Sequence, residues 1–300
     1  MLLIGQTMRM PANLLARTAR RLRREGPQAV VHAVIRRVYR IGQRDHSTEP
    51  LGGVFAWLAA QRSFVIVQIG AFTGATGNDP LYAFLQRELP KKPHARALLI
   101  EPVESSFAGL AEAYAGIQNV SFENVAIADA DGEQDFYRLG VDPTAHGKPA
   151  WLSQVASLRA DRMDLWEDFR PDLRDFWLRH HVVERVRCAT LSVVLERNNI
   201  AHIDLLQIDA EGNDYEILKT IDFAQLRPRF INYERELLGE DEGACRSMMT
   251  AAGYLLLESG KWGEDTLCVA IDQTSRKLRV TLCGEITEQS EPSARGRDLR

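Results

Sequence analysis

The chain has 300 residues, of which 45% are hydrophobic and 26% are charged, and its net charge at pH 7 is −4. This is the composition of a globular protein long enough for one large α/β domain with extensions or for two small domains. Four cysteines lie far apart without a CxxC pair, which argues against a zinc site or a disulfide framework and makes the reducing cytoplasm the expected compartment. No apolar run approaches the roughly 20 residues of a membrane span, and the first residues lack the apolar core and cleavage site of a secretion signal.

The N-terminal segment is strongly basic. Residues 1–44 contain ten arginines and a single acid, Glu25, so this segment carries +9 and the rest of the chain −13. The pattern predicts two helices, at about residues 12–24 and 28–39, followed by a polar linker, so that residues 1–50 form a helical extension. Two interpretations stay open: the extension packs on the main domain through its valines, or it contacts an anionic membrane surface or an acidic partner.

Seven apolar runs typical of buried strands follow, and helical patterns separate most of them. The runs are residues 64–69, 97–101, 120–127, 203–209, 230–234, 254–258 and 266–271. The helical patterns cover residues 80–88, 105–114, 191–198, 215–220 and 245–252. This alternation predicts one α/β domain over residues 51–284, with a seven-stranded, mostly parallel sheet and helices on both faces. Residues 285–300 are polar without a period and are predicted to be a flexible tail.

One interval breaks this alternation. About fifty residues separate the third and fourth strands, and they contain three of the five tryptophans. Their spacing predicts a helical insertion at about residues 140–185. The insertion could pack as a small core, cover a pocket near the strand ends, or do both. His180 and His181 within it are better explained as a surface pair than as catalytic residues.

The first strand ends in a glycine-rich turn, FVIVQIGAFTGATGNDP (residues 64–80). Parallel α/β sheets bind ligands at the carboxyl ends of their strands, and Gly70 and Gly74 would let the backbone approach such a ligand closely. Phe72 stands where the second glycine of a dinucleotide fingerprint belongs, and no Gly-Lys-Ser/Thr of a phosphate-binding loop follows. The turn therefore favours a nucleoside without a pyrophosphate, and a simple tight turn is the alternative.

Acidic residues follow two other strands. Glu101 ends the second strand, where a carboxylate can accept two hydrogen bonds from a ribose diol, and a helix-capping or surface role is the alternative. Asp209 and Glu211 end the fourth strand beside the same predicted crevice. Acids in such a position are costly unless they bind a ligand, although capping of the next helix would also explain them.

Seven segments occur in order over residues 62–272: QIGAFTG, IEP, ENVAIADADG, VRCATLSVVL, DLLQIDAEGNDYEILK, INYE and GYLLLESGKWGEDTLCVAI. Together they resemble the FkbM family of S-adenosylmethionine-dependent methyltransferases. The resemblance implies a class I (Rossmann-like) methyltransferase fold, in which the last strand is antiparallel and inserted between its neighbours. It also implies S-adenosylmethionine as the cofactor.

The resemblance further implies two sets of site residues. The cofactor-binding set is Gln68, Gly70, Ala71, Gly74, Asp79, Glu101, Pro102, Asn124, Ala126, Asp129 and Asp209. The candidates for the base that deprotonates an acceptor are Asp209, Glu211 and Glu234. Two departures from the family put the affinity for the cofactor in question: Gln68 replaces a common acid, and Phe72-Thr73 replaces Asn-Asp or Asn-Val.

The expected reaction is methylation of a hydroxyl group on a sugar, a glycan or a secondary metabolite, because FkbM relatives mostly act on such acceptors. Nucleic acid is not an expected partner, since the catalytic domain is acidic and Asp-Ala-Glu-Gly stands where nucleobase amino-methyltransferases carry Asn/Asp-Pro-Pro-Tyr/Phe. No metal ligand is assigned, and magnesium between Asp209 and Glu234 is kept only as an alternative. An inactive methyltransferase-like scaffold that docks through the basic N-terminus is the alternative function, and a nicotinamide dehydrogenase is a distant third.

Overall fold

The computed structural model of the protein describes residues 50–76, 79–166, 170–260 and 263–271 and two short strands at 277–280 and 286–289. Of the predicted N-terminal extension, residues 1–50, all but Pro50 lie outside this part of the chain. The second of the short strands falls within the segment predicted as a flexible tail. Its β-branched residues Ile286 and Thr287 favour an extended backbone.

The described α-helices are α1 Pro50–Ala60, α2 Pro80–Glu88, α3 Glu104–Ala113, α4 Pro171–His180, α5 Leu191–Arg197, α6 Asp214–Lys219 and α7 Glu242–Ala251. The strands are β1 Val65–Ile69, β2 Arg96–Ile100, β3 Val120–Glu123, β4 Ala126–Ile127, β5 Gly132–Leu139, β6 Ala156–Ser157, β7 His181–Ala189, β8 Leu205–Ile208, β9 Phe230–Glu234, β10 Tyr254–Ser259, β11 Asp265–Ala270, β12 Lys277–Val280 and β13 Ile286–Gln289. Short 3-10 helices cover Leu89–Lys91, Pro143–His146, Ala150–Gln154, Arg162–Trp166 and Glu236–Asp241.

The main sheet has seven strands in the order β10-β11-β9-β8-β1-β2-β3. All neighbouring pairs from β9 to β3 are parallel, whereas β11 is antiparallel to both β9 and β10, between which it is inserted. This is the topology expected of a class I methyltransferase, so the predicted fold class is confirmed. The chain order reverses direction between β1 and β8, which places the predicted crevice at the carboxyl ends of these strands.

Helices cover both faces of this sheet, as predicted. On one face Val67 and Leu206 pack in a core with residues of α5, α6 and α7, whereas on the other face Ile66 and Leu205 pack with residues of α1 and α2. Because the central strands are buried on both faces, they read as almost continuous apolar runs in the sequence.

The interval between the third and fourth main strands forms a second sheet, in the order β4-β7-β5-β6. The predicted strand 120–127 is therefore divided, with β3 in the main sheet and β4 in the second. Long antiparallel strands β5 and β7 enclose the insertion, which holds α4 and three of the 3-10 helices. We did not predict these strands because their alternating side chains include many charges: in β7, Val186 and Cys188 are buried while Arg185 and Arg187 are exposed.

The insertion has a hydrophobic core of its own, as one of the two interpretations required. Its buried members are Leu139, Leu152, Val155, Met163, Leu173, Phe176 and Trp177. This core holds the segments that face the crevice in a defined position relative to the main sheet.

Candidate active site

A cleft of about 1380 Å³ lies at the carboxyl ends of β1, β2, β8 and β9. Strand-end residues line it on the sheet side, and residues of the insertion, among them Trp151 and Arg162, line it on another side. The insertion thus also forms part of the wall of the crevice. The position agrees with the general rule for ligand sites in parallel α/β sheets.

The glycine turn packs tightly against its neighbours. Gly70 has a φ of +79°, and a Cβ atom there would lie 1.8 Å from the carbonyl oxygen of Asp209. Gly74 has a φ of +71°, and its Cβ would lie 2.8 Å from a ring carbon of Tyr114. Both glycines are therefore required by contacts within the protein, which is a stronger reason than the ligand approach that the sequence suggested.

Glu101 is held at the end of β2 by the same turn. Its Oε2 accepts a 2.9 Å hydrogen bond from the backbone N–H of Phe72, and its Oε1 accepts one of 2.9 Å from the N–H of Val103. Burial raises the pKa of Glu101 to about 7, which these two hydrogen bonds oppose. A carboxylate offers about four acceptor positions, so two remain for a ligand in the cleft.

Gln68 lines the cleft in place of the acid that many related enzymes carry. Its Nε2 donates to Oδ2 of Asp79 at 3.2 Å, while Asp79 also caps α2 by accepting the N–H of Leu81 at 2.8 Å. The Oε1 of Gln68 is buried and has no hydrogen-bond partner among the described residues. An unpaired buried acceptor costs free energy, so this atom is suited to a ligand that donates a hydrogen bond.

Not all of the predicted cofactor residues reach the cleft. Ala71, Pro102 and Ala126 line it. Asn124 faces a separate small depression, where its Nδ2 donates to the carbonyl oxygens of Glu101 and Pro102, both at 3.0 Å. Asp129 is exposed and lies outside the cleft lining. Gly74 is also absent from the lining and acts through its packing against Tyr114.

Asp209 and Glu234, at the ends of neighbouring strands, both line the cleft. The carboxylate of Asp209 is reachable from the cleft, yet the surrounding protein displaces much of its water. This desolvation raises the pKa of Asp209, and the nearby carboxylates of Glu211, Asp214, Asp265 and Asp79 raise it further. The pKa of Glu234 is raised in the same way by desolvation and by neighbouring acids, against an opposing effect of Arg162.

Glu211 has different surroundings, because it is paired with a cation from the insertion. The Nε of Arg162 donates to Oε2 of Glu211 at 3.0 Å, and a terminal nitrogen of the same guanidinium contacts the same oxygen. Arg162 is only 3% exposed. This ion pair engages one carboxylate oxygen of Glu211, which makes Glu211 less suited than Asp209 to accept a proton.

Sequence reasoning missed Asp214, which organises these acids. The fully buried carboxylate of Asp214 accepts the backbone N–H of Ala210 at 3.3 Å and that of Glu234 at 3.1 Å, and burial raises its pKa to about 7. Its position in the motif IDAEGNDYEILK could have indicated this role. However, an acid in the first turn of a helix is ordinarily explained by its favourable interaction with the helix dipole. Arg162 and Trp151 had no such signal, since the insertion carries no recognisable motif.

The charged side chains along the described part of the cleft are mostly acidic. They are Asp79, Glu101, Asp209, Glu211, Glu234, Glu236, Glu264 and Asp265 against Arg138, Arg162 and Arg170. An excess of carboxylates in a cleft favours a cationic ligand. Within the residues that the structure describes, no three His, Cys, Asp or Glu side chains come close enough together to hold a metal ion.

The segment that builds this cleft matches the model of the methyltransferase FkbM domain over residues 68–256. The chain belongs to the FkbM methyltransferase family. The match runs from Gln68 in β1 to Leu256 in β10 and thus includes the insertion within the FkbM domain. A comparison with curated proteins found no significant match.

Three of the solved structures that resemble the FkbM protein illustrate the range of these similarities. A Methanococcus jannaschii fibrillarin pre-rRNA processing protein is 12% identical over 70% of this chain and 67% of that chain, with a TM-score of 0.36. A precorrin-6y C5,15-methyltransferase from Geobacter metallireducens is 12% identical over 68% of this chain and 70% of that chain, with a TM-score of 0.33. The METTL16 methyltransferase domain is 11% identical over 88% of this chain and 98% of that chain, with a TM-score of 0.33. These values describe distant similarity and carry no information on the substrate of the FkbM protein. None of the described helices has the length and apolar character needed to cross a membrane.

Proposed function

We propose that this FkbM methyltransferase transfers the methyl group of S-adenosylmethionine to a hydroxyl group of a small molecule or glycan. The observation that carries the proposal is the position of Asp209. Its carboxylate faces the cleft at the end of β8, and the charged groups that act on it are all carboxylates. A hydroxyl acceptor has to lose a proton, and a carboxylate with a raised pKa is suited to take it near neutral pH.

The residues of the cleft fit the cofactor. Glu101 keeps two acceptor positions for ribose hydroxyls, and Gln68 Oε1 is a buried acceptor that lacks a donor. The excess of carboxylates suits a ligand that carries a sulfonium and an ammonium group. S-adenosylmethionine supplies the electrophilic methyl group when it is bound.

The protein then has three tasks in the reaction. The cleft holds the acceptor oxygen in line with the methyl group, and such positioning can lower a barrier by roughly 7–11 kcal/mol. Asp209 accepts the proton of the acceptor hydroxyl as the new oxygen–carbon bond forms and the sulfur–carbon bond breaks, and general-base assistance typically contributes 10²–10⁴-fold. Trp151 and the other cleft residues of the insertion line one side of the cleft, where they would limit the access of water to the reacting groups.

Calorimetric titration with S-adenosylmethionine and S-adenosylhomocysteine tests the cofactor, with NAD as a control ligand. We expect micromolar binding of both nucleosides, loss of that binding in Glu101→Ala, and unchanged binding in Glu112→Ala, whose exposed side chain lies on α3. At 100 times its dissociation constant, the ligand should raise the free energy of unfolding by about 2.7 kcal/mol. Absence of both heat and thermal stabilisation would refute the proposal.

Labelled S-adenosylmethionine then tests the acceptor class. We expect label to enter hydroxyl-bearing sugars, glycans or secondary metabolites and not the matching amines or nucleobases. Transfer to nitrogen or carbon alone would contradict O-methylation while leaving the methyltransferase itself in place. The scaffold alternative is not favoured, because Gln68 and Phe72 both line an open cleft rather than fill it.

A further inference from the structure

The turn between β8 and α6 adopts a backbone conformation that needs external support. Glu211 has a φ of +50° and Gly212 a φ of +91°. A non-glycine residue in the left-handed region is strained and persists only where its surroundings hold it. Asp209, the proposed base, lies two residues before Glu211, so whatever holds the turn also positions the base.

The insertion supplies that support through three side chains. Arg162 binds the carboxylate of Glu211, the hydroxyl of Ser157 donates to the carbonyl oxygen of Glu211 at 3.0 Å, and Arg159 donates to the carbonyl oxygen of Gly212 at 3.3 Å. The Arg162–Glu211 pair is enclosed, with side-chain exposures of 3% and 16%. Removing one partner of such a pair leaves the other charge unpaired in a poorly hydrated site.

Arg162 also brings a positive charge to a group of carboxylates. The charged groups that act on Glu234 are Glu211, Asp209, Asp214 and Arg162. Those that act on Asp209 are Glu211, Asp214, Asp265 and Asp79. Arg162 favours the ionised form of Glu234 directly, and by pairing with Glu211 it offsets the carboxylate that disfavours ionisation of both Asp209 and Glu234.

We infer that Arg162 is a positioning residue of the methyl-transfer site, which holds Glu211 and the β8–α6 turn beside Asp209 and places a positive charge among the cleft carboxylates. The inference rests on the proposed function, since it assigns these carboxylates to the cofactor and acceptor site. It gives the insertion a role in the chemistry in addition to its role in enclosing the cleft.

The ratio of two affinities measures the charge state of this site without knowledge of the acceptor. S-adenosylmethionine carries one more positive charge than S-adenosylhomocysteine, while their amino and carboxylate groups are the same. The ratio of the affinity for S-adenosylmethionine to that for S-adenosylhomocysteine should therefore rise with pH as the cleft carboxylates ionise. The pH at which this rise is half complete, here called the midpoint, reports the protonation of these carboxylates. Calorimetry from pH 5 to 9 gives this midpoint for each variant.

The variants are Arg162→Gln, Arg162→Lys, Glu211→Gln and the double variant Arg162→Gln/Glu211→Gln. Arg185→Gln is the control, because Arg185 also pairs with a carboxylate, Asp135, at 3.2 Å, and neither residue lines the cleft. We expect Arg162→Gln to move the midpoint upward by about one pH unit, since an opposite charge at this range shifts a carboxylate by 1–3 units. Arg162→Lys should return the midpoint most of the way to that of the unaltered protein, and Arg185→Gln should leave the midpoint unchanged.

Glu211→Gln should move the midpoint downward, because it removes a carboxylate and leaves the positive charge of Arg162. The midpoint of the double variant should lie between the midpoints of Arg162→Gln and Glu211→Gln. Midpoint shifts of opposite sign in Arg162→Gln and Glu211→Gln would separate an effect of charge from a general disruption of the site. If Arg162→Gln does not fold, Glu211→Gln and Arg162→Lys still test the inference. Equal midpoints in Arg162→Gln, Arg185→Gln and the unaltered protein would overturn the inference, whereas no binding of either nucleoside to the unaltered protein would instead refute the proposed function.

Discussion

Glu101 and Asp209 end the two strands that flank β1, and they lie on opposite sides of the Gly70 turn. Glu101 is 5% exposed, and each of its oxygens accepts a backbone N–H. Asp209 is reachable from the cleft and is surrounded by other carboxylates. Both carboxyl groups have raised pKa values, but Glu101 is fixed for binding while Asp209 is placed for proton transfer.

The difference shows that position at a strand end does not by itself decide the role of an acid. The fixed orientation of Glu101 suits recognition of a rigid group such as a ribose diol. The surroundings of Asp209 favour exchange of a proton, because neighbouring negative charges reduce the cost of protonating it.

Substitution of Gly70, which separates the two sites, should have the largest effect. A Cβ in Gly70→Ala would collide with the backbone carbonyl of Asp209, and a left-handed φ adds strain. We expect the free energy of unfolding to fall by about 4 kcal/mol or more, measured by urea denaturation. Gly52→Ala is the control, since nothing lies within 4 Å of the Cβ added there, and it should be neutral or stabilise α1 by roughly 0.5–1 kcal/mol. Equal stability of both variants would mean that the turn and β8 do not touch.

Isosteric amides at the two acids should separate binding from chemistry. Asp209→Asn should slow methyl transfer by roughly 10²–10⁴-fold and reduce the affinity for S-adenosylmethionine much less. Glu101→Gln should weaken affinity at least tenfold and leave the rate at saturating cofactor nearly unchanged, because the amide replaces one acceptor by a donor. Initial rates with an acceptor found by labelling give the rate of methyl transfer, and calorimetry gives the affinity for S-adenosylmethionine. Equal losses in rate and affinity for either variant would contradict the difference in role between Glu101 and Asp209.

Stability without ligand should fall as pH rises through the neutral range. Burial raises the pKa values of Glu101 and Asp214 to about 7, so between about pH 4.5 and 7 the folded chain binds more protons than the unfolded chain. Each pKa unit of upward shift corresponds to about 1.4 kcal/mol lost on going from below to above this window, and the shifts of Asp209 and Glu234 act in the same direction.

Urea denaturation at pH 5, 6, 7 and 8 checks this expectation. Glu101→Gln should show a weaker pH dependence, because the amide does not titrate. A free energy of unfolding that increases from pH 5 to 8 would show that these carboxyl groups are ionised and well paired in the folded protein.

Asn124→Ala should have the smallest effect, and it tests the prediction from the sequence that Asn124 binds the cofactor. The side chain supports two carbonyl oxygens next to Glu101 from outside the cleft, so its loss should cost about 1 kcal/mol of stability. The affinity for S-adenosylmethionine should change less than threefold by calorimetry. A loss of tenfold or more would instead favour the direct contact with the cofactor that the family resemblance implied.

Much of the fold could be read from the sequence because the main sheet is buried on both faces. Burial makes β1, β8 and β9 nearly continuous apolar runs, and the acids and glycines that interrupt them mark the carboxyl ends. The predicted strands and helices agree with the structure to within a few residues at most ends. The second sheet was missed because β5 and β7 are half-exposed and rich in charge, so their alternation is weak.

The amino-acid sequence alone was sufficient to predict the class I methyltransferase topology and the FkbM family. It also placed Gln68, Glu101, Asp209 and Glu234 at the strand ends, because buried apolar runs and short motifs are visible in the sequence. Only the tertiary structure decided what surrounds each of them. Two backbone N–H groups fix the orientation of Glu101, Arg162 binds Glu211 from 49 positions away in the chain, and buried Asp214 connects two strand ends. Desolvation and pairing depend on these distant neighbours, so the division of roles among identical carboxylates cannot be read from the order of residues alone.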